Sequence, residues 1–147
     1  MEKVILVQCG KKKLKQKAKA KDLYIGDLFK KSYRYAQLLK PDNILILSAK
    51  YDLLNPEKII EPYDETLNNK SSDEIKKWST KVITALKEKI DLEKDEIIIL
   101  AGNNYYKYLL PYISNYKLPL GTFSLGPRKS FLKKQIEEYE QGMHQSL

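Results

Sequence analysis

Lysines, amides, glycines and tyrosines follow three apolar segments of the chain, each with the length and composition of a buried β-strand. A glycine lets a ligand approach the backbone closely, and a lysine can pair with a phosphate or act as a nucleophile when it is removed from water. Because ligands bind outside the carboxyl ends of parallel strands, these segments predict a ligand site at one edge of a sheet. The residues expected there are Gln8, Cys9, Gly10, Lys11, Lys12, Lys13, Ser48, Lys50, Tyr51, Gly102, Asn103 and Tyr105.

The loop at residues 61–64 adds a carboxylate and another tyrosine to this set. A proline restricts its path, so Asp64 could act as a general acid or base and Tyr63 could stack on a ligand or hydrogen bond to it. A turn begun by Asp64, with Tyr63 packed on the core, is the alternative. Lys50 could likewise be an ordinary surface lysine. Arg128 either binds an anion at the start of the last predicted helix or lies on the surface.

The single cysteine, Cys9, has no histidine near it in the sequence that could deprotonate it, since the only histidine is His144, close to the end of the chain. We therefore expect a buried, unreactive thiol. The sequence contains no Cys/His cluster with metal-ligand spacing, no GxGxxG motif and no Walker loop. Neither a metal nor a cofactor is predicted.

Positive charge is concentrated in the first part of the chain. The net charge is +8, and residues 1–40 alone carry twelve Lys and Arg residues against three acidic ones. Most of these basic residues lie between Lys11 and Lys21. Such a field attracts an anionic partner, namely a nucleic acid, a nucleotide or a phosphorylated small molecule. The alternative is a flexible, solvated lysine loop.

Alternating strand-like and helix-like segments predict one α/β domain over residues 1–147. Strands are expected at 3–8, 43–48 and 95–100, with a short one at 118–125, and helices at 26–39, from 72, from 103 and at 128–140. The sheet would be mostly parallel, with about four strands and helices on both faces. The second helix has the spacing of a capping box at Ser71 and Glu74. The third would bury Tyr105, Tyr108, Leu109 and Tyr112.

The apolar segments are too short for a membrane protein. None approaches the ~20 residues of a membrane-spanning helix. The first residues show no signal-peptide pattern either. A cytoplasmic location without membrane contact is expected, and no oligomeric state is predicted.

The same residues resemble a family of uncharacterised bacterial and phage proteins. The matching segments are 9–13, 22–24 with 28–29, 47–51 with 53–54, 62–64 with 66–67, and 101–102 with 105. The resemblance adds Asp22 and Tyr24 to the expected ligand-binding residues. It also leads us to expect glycine where this chain has Asp52.

The family is distantly similar to the peroxide-stress protein YaaA. Its Cys-x-x-x-Lys spacing, here Cys9 to Lys13, resembles a motif of archaeosine synthase on a domain similar to uracil-DNA glycosylase. This chain has Gly10 where that motif has serine, and it lacks the proline before the cysteine. The resemblance implies a three-layer α/β/α fold and chemistry on a nucleobase or nucleic acid.

Together these observations favour an enzyme that acts on a nucleotide, nucleobase or nucleic acid, at an N-glycosidic bond and without a metal. Lys13, Lys50 and Asp64 are the candidate catalytic residues. The three lysines at 11–13 and Lys50 would hold phosphate, and Asp64 would act as acid or base. Tyr24, Tyr63 or Tyr105 would position the base. The alternatives are a non-catalytic nucleic-acid-binding domain, whose affinity would fall with salt, and a nucleotide-sensing module.

Overall fold

The computed structural model describes residues 1–145, with side chains described for residues 1–142. These residues form seven strands and five α-helices, and two short 3-10 helices lie at Leu67–Asn69 and Leu110–Tyr112. The elements are β1 (Lys3–Gln8), β2 (Ala18–Lys19), α1 (Ala20–Leu23), α2 (Asp27–Leu38), β3 (Asn43–Ser48), β4 (Asp52–Leu54), β5 (Ile59–Ile60), α3 (Ser72–Lys87), β6 (Glu96–Leu100), α4 (Asn103–Tyr106), β7 (Tyr116–Lys117) and α5 (Leu125–Gln145).

Five of the strands form the central sheet, in the order β4-β3-β1-β6-β7. All neighbours are parallel except β4, which returns antiparallel beside β3. The apolar run 4–7 of β1 is fully buried, as expected for a parallel strand covered on both faces. The predicted α/β class and mostly parallel sheet are confirmed.

Helices cover both faces of this sheet. The connection from β1 through α2 leads to β3, which neighbours β1 on one side within the sheet. The connection from β3 through α3 passes β1 and leads to β6, which neighbours β1 on the other side. Because such crossovers are right-handed, their helices lie on opposite faces. α2 packs on β1 and α5, whereas α3 packs on β4 and α4. The three-layer arrangement places a reversal of winding between β1 and β6, where doubly wound folds bind ligands.

Helix α3 begins with the predicted capping box. The Ser71 Oγ accepts a hydrogen bond from the Glu74 N–H at 3.2 Å, and the Glu74 Oε1 accepts one from the Ser71 N–H at 3.3 Å. This satisfies two donors that would otherwise be unpaired at the helix start. The apolar side chains on its inner face, Ile75, Trp78, Val82, Ile83 and Leu86, are buried.

The segment 118–125 is not a strand, and this prediction is wrong. Its strand-like composition is interrupted by turns, in which the Gly121 N–H donates to the Leu118 O and the Phe123 N–H donates to the Leu120 O. Gly121 has a φ of 52°, which favours glycine. The edge strand is β7, just before this segment, and α5 begins at Leu125 rather than Arg128.

The third predicted helix is also shorter than expected. α4 ends at Tyr106, and a 3-10 helix with a proline in its first turn follows at Leu110–Tyr112. Tyr105 and Leu109 are buried, but Tyr112 is 53% exposed and does not belong to the core. The proline cannot donate the backbone hydrogen bond that would continue an α-helix.

Short regular elements also lie in two segments between the main strands and helices. β2 and the start of α1 lie within residues 11–21, which we call the lysine-rich segment, and β4 and β5 lie between residues 50 and 70. β2 and β5 pair antiparallel, which ties the lysine-rich segment to the loop after β4. β2 and β5 are not part of the central sheet. The central sheet has five strands, one more than the number expected, because β4 and β7 both pair at its edges.

Among the described residues, no helix combines the length and the apolar composition needed to cross a membrane. The described part of the chain also holds no cluster of three or more His, Cys, Asp or Glu residues with the placement of metal ligands.

Candidate functional site

A cavity of about 260 Å³ lies at the carboxyl ends of β1 and β6, where the winding of the sheet reverses. Its walls come from the loop after β1, from the loop before α3 and from α4. Seven of the residues expected at the site line it, so the structure brings these segments together. The lining residues are Gln8, Cys9, Gly10, Lys11, Lys13, Asp64, Glu65, Thr66, Asn68 and Tyr105.

A wider, shallower depression of about 740 Å³ lies at the opposite end of the sheet. It contains none of the predicted site residues. Its walls are the end of α3, the turn after it and the residue before β1, which are rich in acidic and lysine side chains. The chemistry-bearing residues are at the smaller, more enclosed cavity.

The ends of β1 and β6 are joined directly at the cavity. The Gln8 Oε1 accepts a hydrogen bond from the Gly102 N–H at 2.7 Å. The guanidinium of Arg128 covers Gly102 so closely that a Cβ there would lie 3.0 Å from its Nη2. Arg128 is held in place by a 2.7 Å hydrogen bond from its Nε to the Phe123 O. The structure thus brings Arg128 to the rim beside Gly102, although it does not line the cavity.

Three hydroxyl groups form a hydrogen-bonded chain, which we call the hydroxyl chain: those of the buried residues Tyr24 and Ser48 and of the partly buried Tyr63. The Tyr24 and Tyr63 hydroxyls are 2.6 Å apart, and the Tyr63 hydroxyl is 2.8 Å from the Ser48 Oγ. Ser48 is fully buried, and its Oγ also accepts from the N–H groups of Lys50 and Tyr51. Burial raises the pKa of both tyrosines, so each stays protonated and able to donate.

Tyr105 forms the buried wall opposite this chain. Its hydroxyl accepts from the Leu67 N–H at 3.2 Å and from the Cys9 thiol at 3.8 Å. Its ring meets Trp78 edge-on, and the Trp78 indole N–H donates to the Ser48 O at 2.8 Å. Burial raises the pKa of Tyr105 as well. The aromatic pair therefore connects the cavity to the hydroxyl chain through α3.

Lys13 lies between the cavity and the hydroxyl chain. Its Nζ is 4.4 Å from the centre of the Tyr63 ring and 5.8 Å from that of Tyr24, and it donates to the Lys11 O at 3.1 Å. Burial lowers the pKa of Lys13, and the nearby Cys9 and Asp64 oppose this shift. Lys13 is thus the cationic group most closely integrated into the site.

Other predicted residues lie outside the cavity. Lys50 is exposed, with its Nζ 5.4 Å from the Tyr51 ring, because the chain reverses after β3 to form β4. Tyr51 contacts Tyr63 edge-on and so supports the hydroxyl chain from outside. The exposed residues Lys12, Asp22 and Asn103 do not line the cavity.

Sequence reasoning missed three lining residues: Glu65, Thr66 and Asn68. The Thr66 Oγ1 accepts from the Asn68 N–H at 3.2 Å and so caps the 3-10 helix that follows. The Asn68 Oδ1 accepts from the Asn104 Nδ2 at 3.1 Å, which links this loop to α4. The Thr-x-Asn spacing favours a capped turn here, but it does not indicate that the turn lies at the cavity.

The lysine-rich segment is partly neutralised. Glu57 pairs with Lys19 at 3.0 Å and with Lys21 at 2.6 Å. Lys11, Lys12, Lys15 and Lys17 are exposed and form no ion pair within the described residues. The unpaired positive charge therefore lies in residues 11–17 of the segment, of which Lys11 lines the cavity.

Comparison with curated proteins finds two distant relatives. A UPF0246 protein of Polynucleobacter necessarius subsp. necessarius (strain STIR1) is 31% identical over 100 residues, covering 61% of this chain and 37% of the relative. A UPF0246 protein of Saccharophagus degradans strain 2-40 is 29% identical over 104 residues, covering 64% of this chain and 39% of the relative. The matched region thus spans less than two fifths of either relative.

These UPF0246 relatives agree with the distant resemblance to the YaaA family that the sequence suggested. The resemblance to archaeosine synthase is not tested by them and stays a prediction. No solved structure significantly matches the chain. The model of DUF6884, described as a family of unknown function, matches residues 4–134. Since this match covers most of the chain, the protein belongs to the DUF6884 family.

Proposed function

We propose that this protein is an enzyme that cleaves the N-glycosidic bond of a nucleobase-containing ligand bound in the cavity. The observation that carries the proposal is that Lys13 and Asp64 line the same enclosed cavity at the winding reversal of the sheet. Burial, moreover, shifts the pKa of Lys13. Titratable groups with shifted pKa values in a cleft are typical of functional sites.

The size and lining of the cavity suit a small polar ligand. Its volume of about 260 Å³ falls below the roughly 300–1,000 Å³ of pockets that hold drug-sized molecules. Gln8, Thr66 and Asn68 supply amide and hydroxyl groups that can pair with the edges of a base. Lys11 supplies a positive charge for a phosphate at the cavity wall. A nucleoside or nucleoside monophosphate matches this combination better than a larger ligand does.

Cleavage of a glycosidic bond needs a proton for the departing base and stabilisation of the positive charge that develops on the sugar. Asp64 can provide both, because its exposed carboxyl group lines the cavity and can exchange protons with solvent. Tyr105 can hold a ligand oxygen through its hydroxyl. Catalysis by such a set consists mainly of positioning and electrostatic stabilisation.

The direct test is release of free base from nucleosides, nucleotides and short DNA or RNA, followed by chromatography. Asp64→Asn should lower turnover by about 10²–10⁴-fold, as expected for loss of a general acid or base. Because Asp64 is exposed, the melting temperature of the Asp64→Asn variant should stay near that of the wild type. Asp73→Asn is the matched control, since Asp73 is exposed on the first turn of α3 and does not line the cavity.

Ligand binding without base release would contradict this proposal and favour the nucleotide-sensing module. Thermal shift against the same ligands separates these outcomes. An unchanged turnover in Asp64→Asn would remove Asp64 from the mechanism.

A second candidate function is a non-catalytic nucleic-acid-binding domain. The exposed lysines 11, 12, 15 and 17, unpaired within the described residues, favour it. Its affinity for DNA or RNA should fall with salt, with a slope of about −0.9 per phosphate contact in a log-log plot for duplex DNA. Asp64→Asn should leave this affinity unchanged, whereas Lys15→Gln should weaken it and make the slope shallower.

A further inference from the structure

The amino group of Lys13 has surroundings that differ from those of a phosphate-binding lysine. Within the described residues Lys13 forms no ion pair, although the carboxyl group of Asp64 lines the same cavity. Its Nζ donates to one backbone carbonyl, that of Lys11, at 3.1 Å. The face of the Tyr63 ring lies 4.4 Å from it. These contacts fix the nitrogen at the cavity without surrounding it by carboxylates.

These contacts are compatible with a neutral amine. A neutral amine can donate one N–H to the Lys11 carbonyl and keep its lone pair for an electrophile. Partial burial lowers the pKa of Lys13 and favours the neutral form, and this influence outweighs those of Cys9 and Asp64, which favour the charged form. The Tyr63 ring also favours the charged form. A lysine whose pKa is lowered can act as a nucleophile towards carbonyl carbons.

We propose that the Lys13 Nζ is a nucleophile that forms an imine with C1′ of the sugar, so that the ligand of the cavity is a glycoside whose sugar opens to an aldose. This inference rests on the proposed function and assigns its chemical route. It gives Lys13 a covalent role in place of the phosphate-holding role predicted from the sequence.

The route balances without any further reagent. The Lys13 nitrogen bonds to C1′ as the bond from C1′ to the base breaks, and the base leaves with a proton from Asp64. The nitrogen then loses its extra proton to the Asp64 carboxylate. The nitrogen lone pair expels the ring oxygen, which takes the proton held by Asp64, and a protonated imine to C1′ results. Water hydrolyses the protonated imine, which releases the free sugar and the neutral amine and returns a proton to Asp64, so the net reaction is hydrolysis of the glycosidic bond.

The experiment traps the imine on the full chain. Ribose 5-phosphate is incubated with the protein and sodium cyanoborohydride near neutral pH, and the product is digested and mapped by mass spectrometry. Each reductive coupling adds the mass of the sugar phosphate less one oxygen atom. We expect the adduct at early times to be concentrated on Lys13. Label spread over the exposed lysines, with Lys13 labelled no faster than they are, would overturn the proposal.

Variants provide a second measurement. Lys13→Arg keeps the positive charge but cannot form an imine, so it should lose the early adduct. Lys15→Arg, which replaces an exposed lysine that does not line the cavity, should retain it. An unchanged early adduct in Lys13→Arg would overturn the proposal. If Lys13→Arg does not fold, the peptide map of the wild type still decides the question.

This test is independent of the proposed function, because ribose 5-phosphate has no glycosidic bond. Selective labelling of Lys13 without release of base from any ligand would support the nucleophile and contradict the glycosidase. Base release without label on Lys13 would support the glycosidase and overturn the covalent route, leaving direct attack by water.

Discussion

The hydroxyl chain predicts an asymmetric response to loss of its two tyrosine hydroxyl groups. Tyr63 occupies the middle position, bonded to Tyr24 at 2.6 Å and to Ser48 at 2.8 Å. Tyr63→Phe removes both bonds and leaves the Tyr24 hydroxyl, in a residue that is 1% exposed, without its Tyr63 partner. Tyr24→Phe removes one bond, and the Tyr63 hydroxyl keeps Ser48. The two variants should therefore differ in the free energy of unfolding.

General values set the expected size of the effect. Loss of one hydrogen bond costs about 1 kcal/mol, and a buried polar group left unsatisfied costs about 1–3 kcal/mol. We expect Tyr24→Phe to lower the free energy of unfolding by about 1 kcal/mol and Tyr63→Phe by about 2–3 kcal/mol. The double variant should be about as stable as Tyr63→Phe alone, because no Tyr24 hydroxyl is then left unsatisfied.

Urea unfolding measures these differences. Trp78 is the only tryptophan in the chain and donates to the Ser48 O, so its fluorescence reports on this region. Far-ultraviolet circular dichroism provides an independent signal, and an unchanged slope with urea shows that only stability has changed. Tyr112→Phe is the matched control, since Tyr112 is 53% exposed. The hydroxyl chain would be refuted if the double variant lost as much free energy of unfolding as the two single variants together. It would also be refuted if Tyr24→Phe lost more than Tyr63→Phe.

Two further predictions concern backbone strain and alkaline pH. Lys40 follows the end of α2 and has a φ of 50°, a conformation that glycine adopts more easily than lysine. Lys40→Gly should therefore raise the free energy of unfolding by about 0.5–1 kcal/mol in the same urea assay. A loss of stability would show that the lysine side chain matters more than the backbone strain. Burial raises the pKa of Tyr24, Tyr63 and Tyr105 above the ordinary value of about 10. Above about pH 10 the unfolded chain releases tyrosine protons that the folded protein retains. These tyrosines should therefore not affect the urea midpoint below about pH 10, and the midpoint should decrease as the pH rises further. The decrease should be smaller in Tyr63→Phe, and an equal decrease in this variant would count against a raised Tyr63 pKa.

The main elements of the fold could be predicted because their patterns are local. The apolar runs of β1, β3 and β6 indicate buried parallel strands, and the capping box fixes the start of α3. The two-residue strands carry no comparable pattern. β2 and β5 form only because two distant segments pair, and this pairing is a tertiary effect.

Residues that line the cavity could be anticipated where the rule of strand ends applies, but not where it does not apply. Cys9, Lys13 and Tyr105 follow strands that lead into crossovers, and they line the cavity. Lys50 follows β3, but there the chain turns back into an antiparallel strand, so its side chain lies elsewhere.

The turn after β3 also explains the glycine expected at position 52. Asp52 has a φ of 63°, a conformation that glycine adopts most easily and aspartate tolerates better than most residues. Position 52 is therefore one where backbone geometry, rather than ligand contact, favours glycine.

The remaining wall of the cavity could not be located from the sequence. The loop with Thr66 and Asn68 reaches the cavity because the Leu67 N–H bonds to the Tyr105 hydroxyl and because Asn104 bonds to Asn68. Each of these bonds joins residues more than thirty positions apart, as their separations of 38 and 36 show. Local patterns do not specify such contacts.

The short edge strands of the sheet limit association between copies of the molecule through strand pairing. β4 has three residues and β7 has two, so each edge offers few backbone groups to an incoming strand. Lys117 of β7 is exposed and pairs with Glu96 at 3.0 Å, which adds a charge at that edge. Short, charged edges oppose the addition of a strand from a neighbouring molecule. The long apolar strands that are most capable of aggregation are thus enclosed between edges that do not extend the sheet.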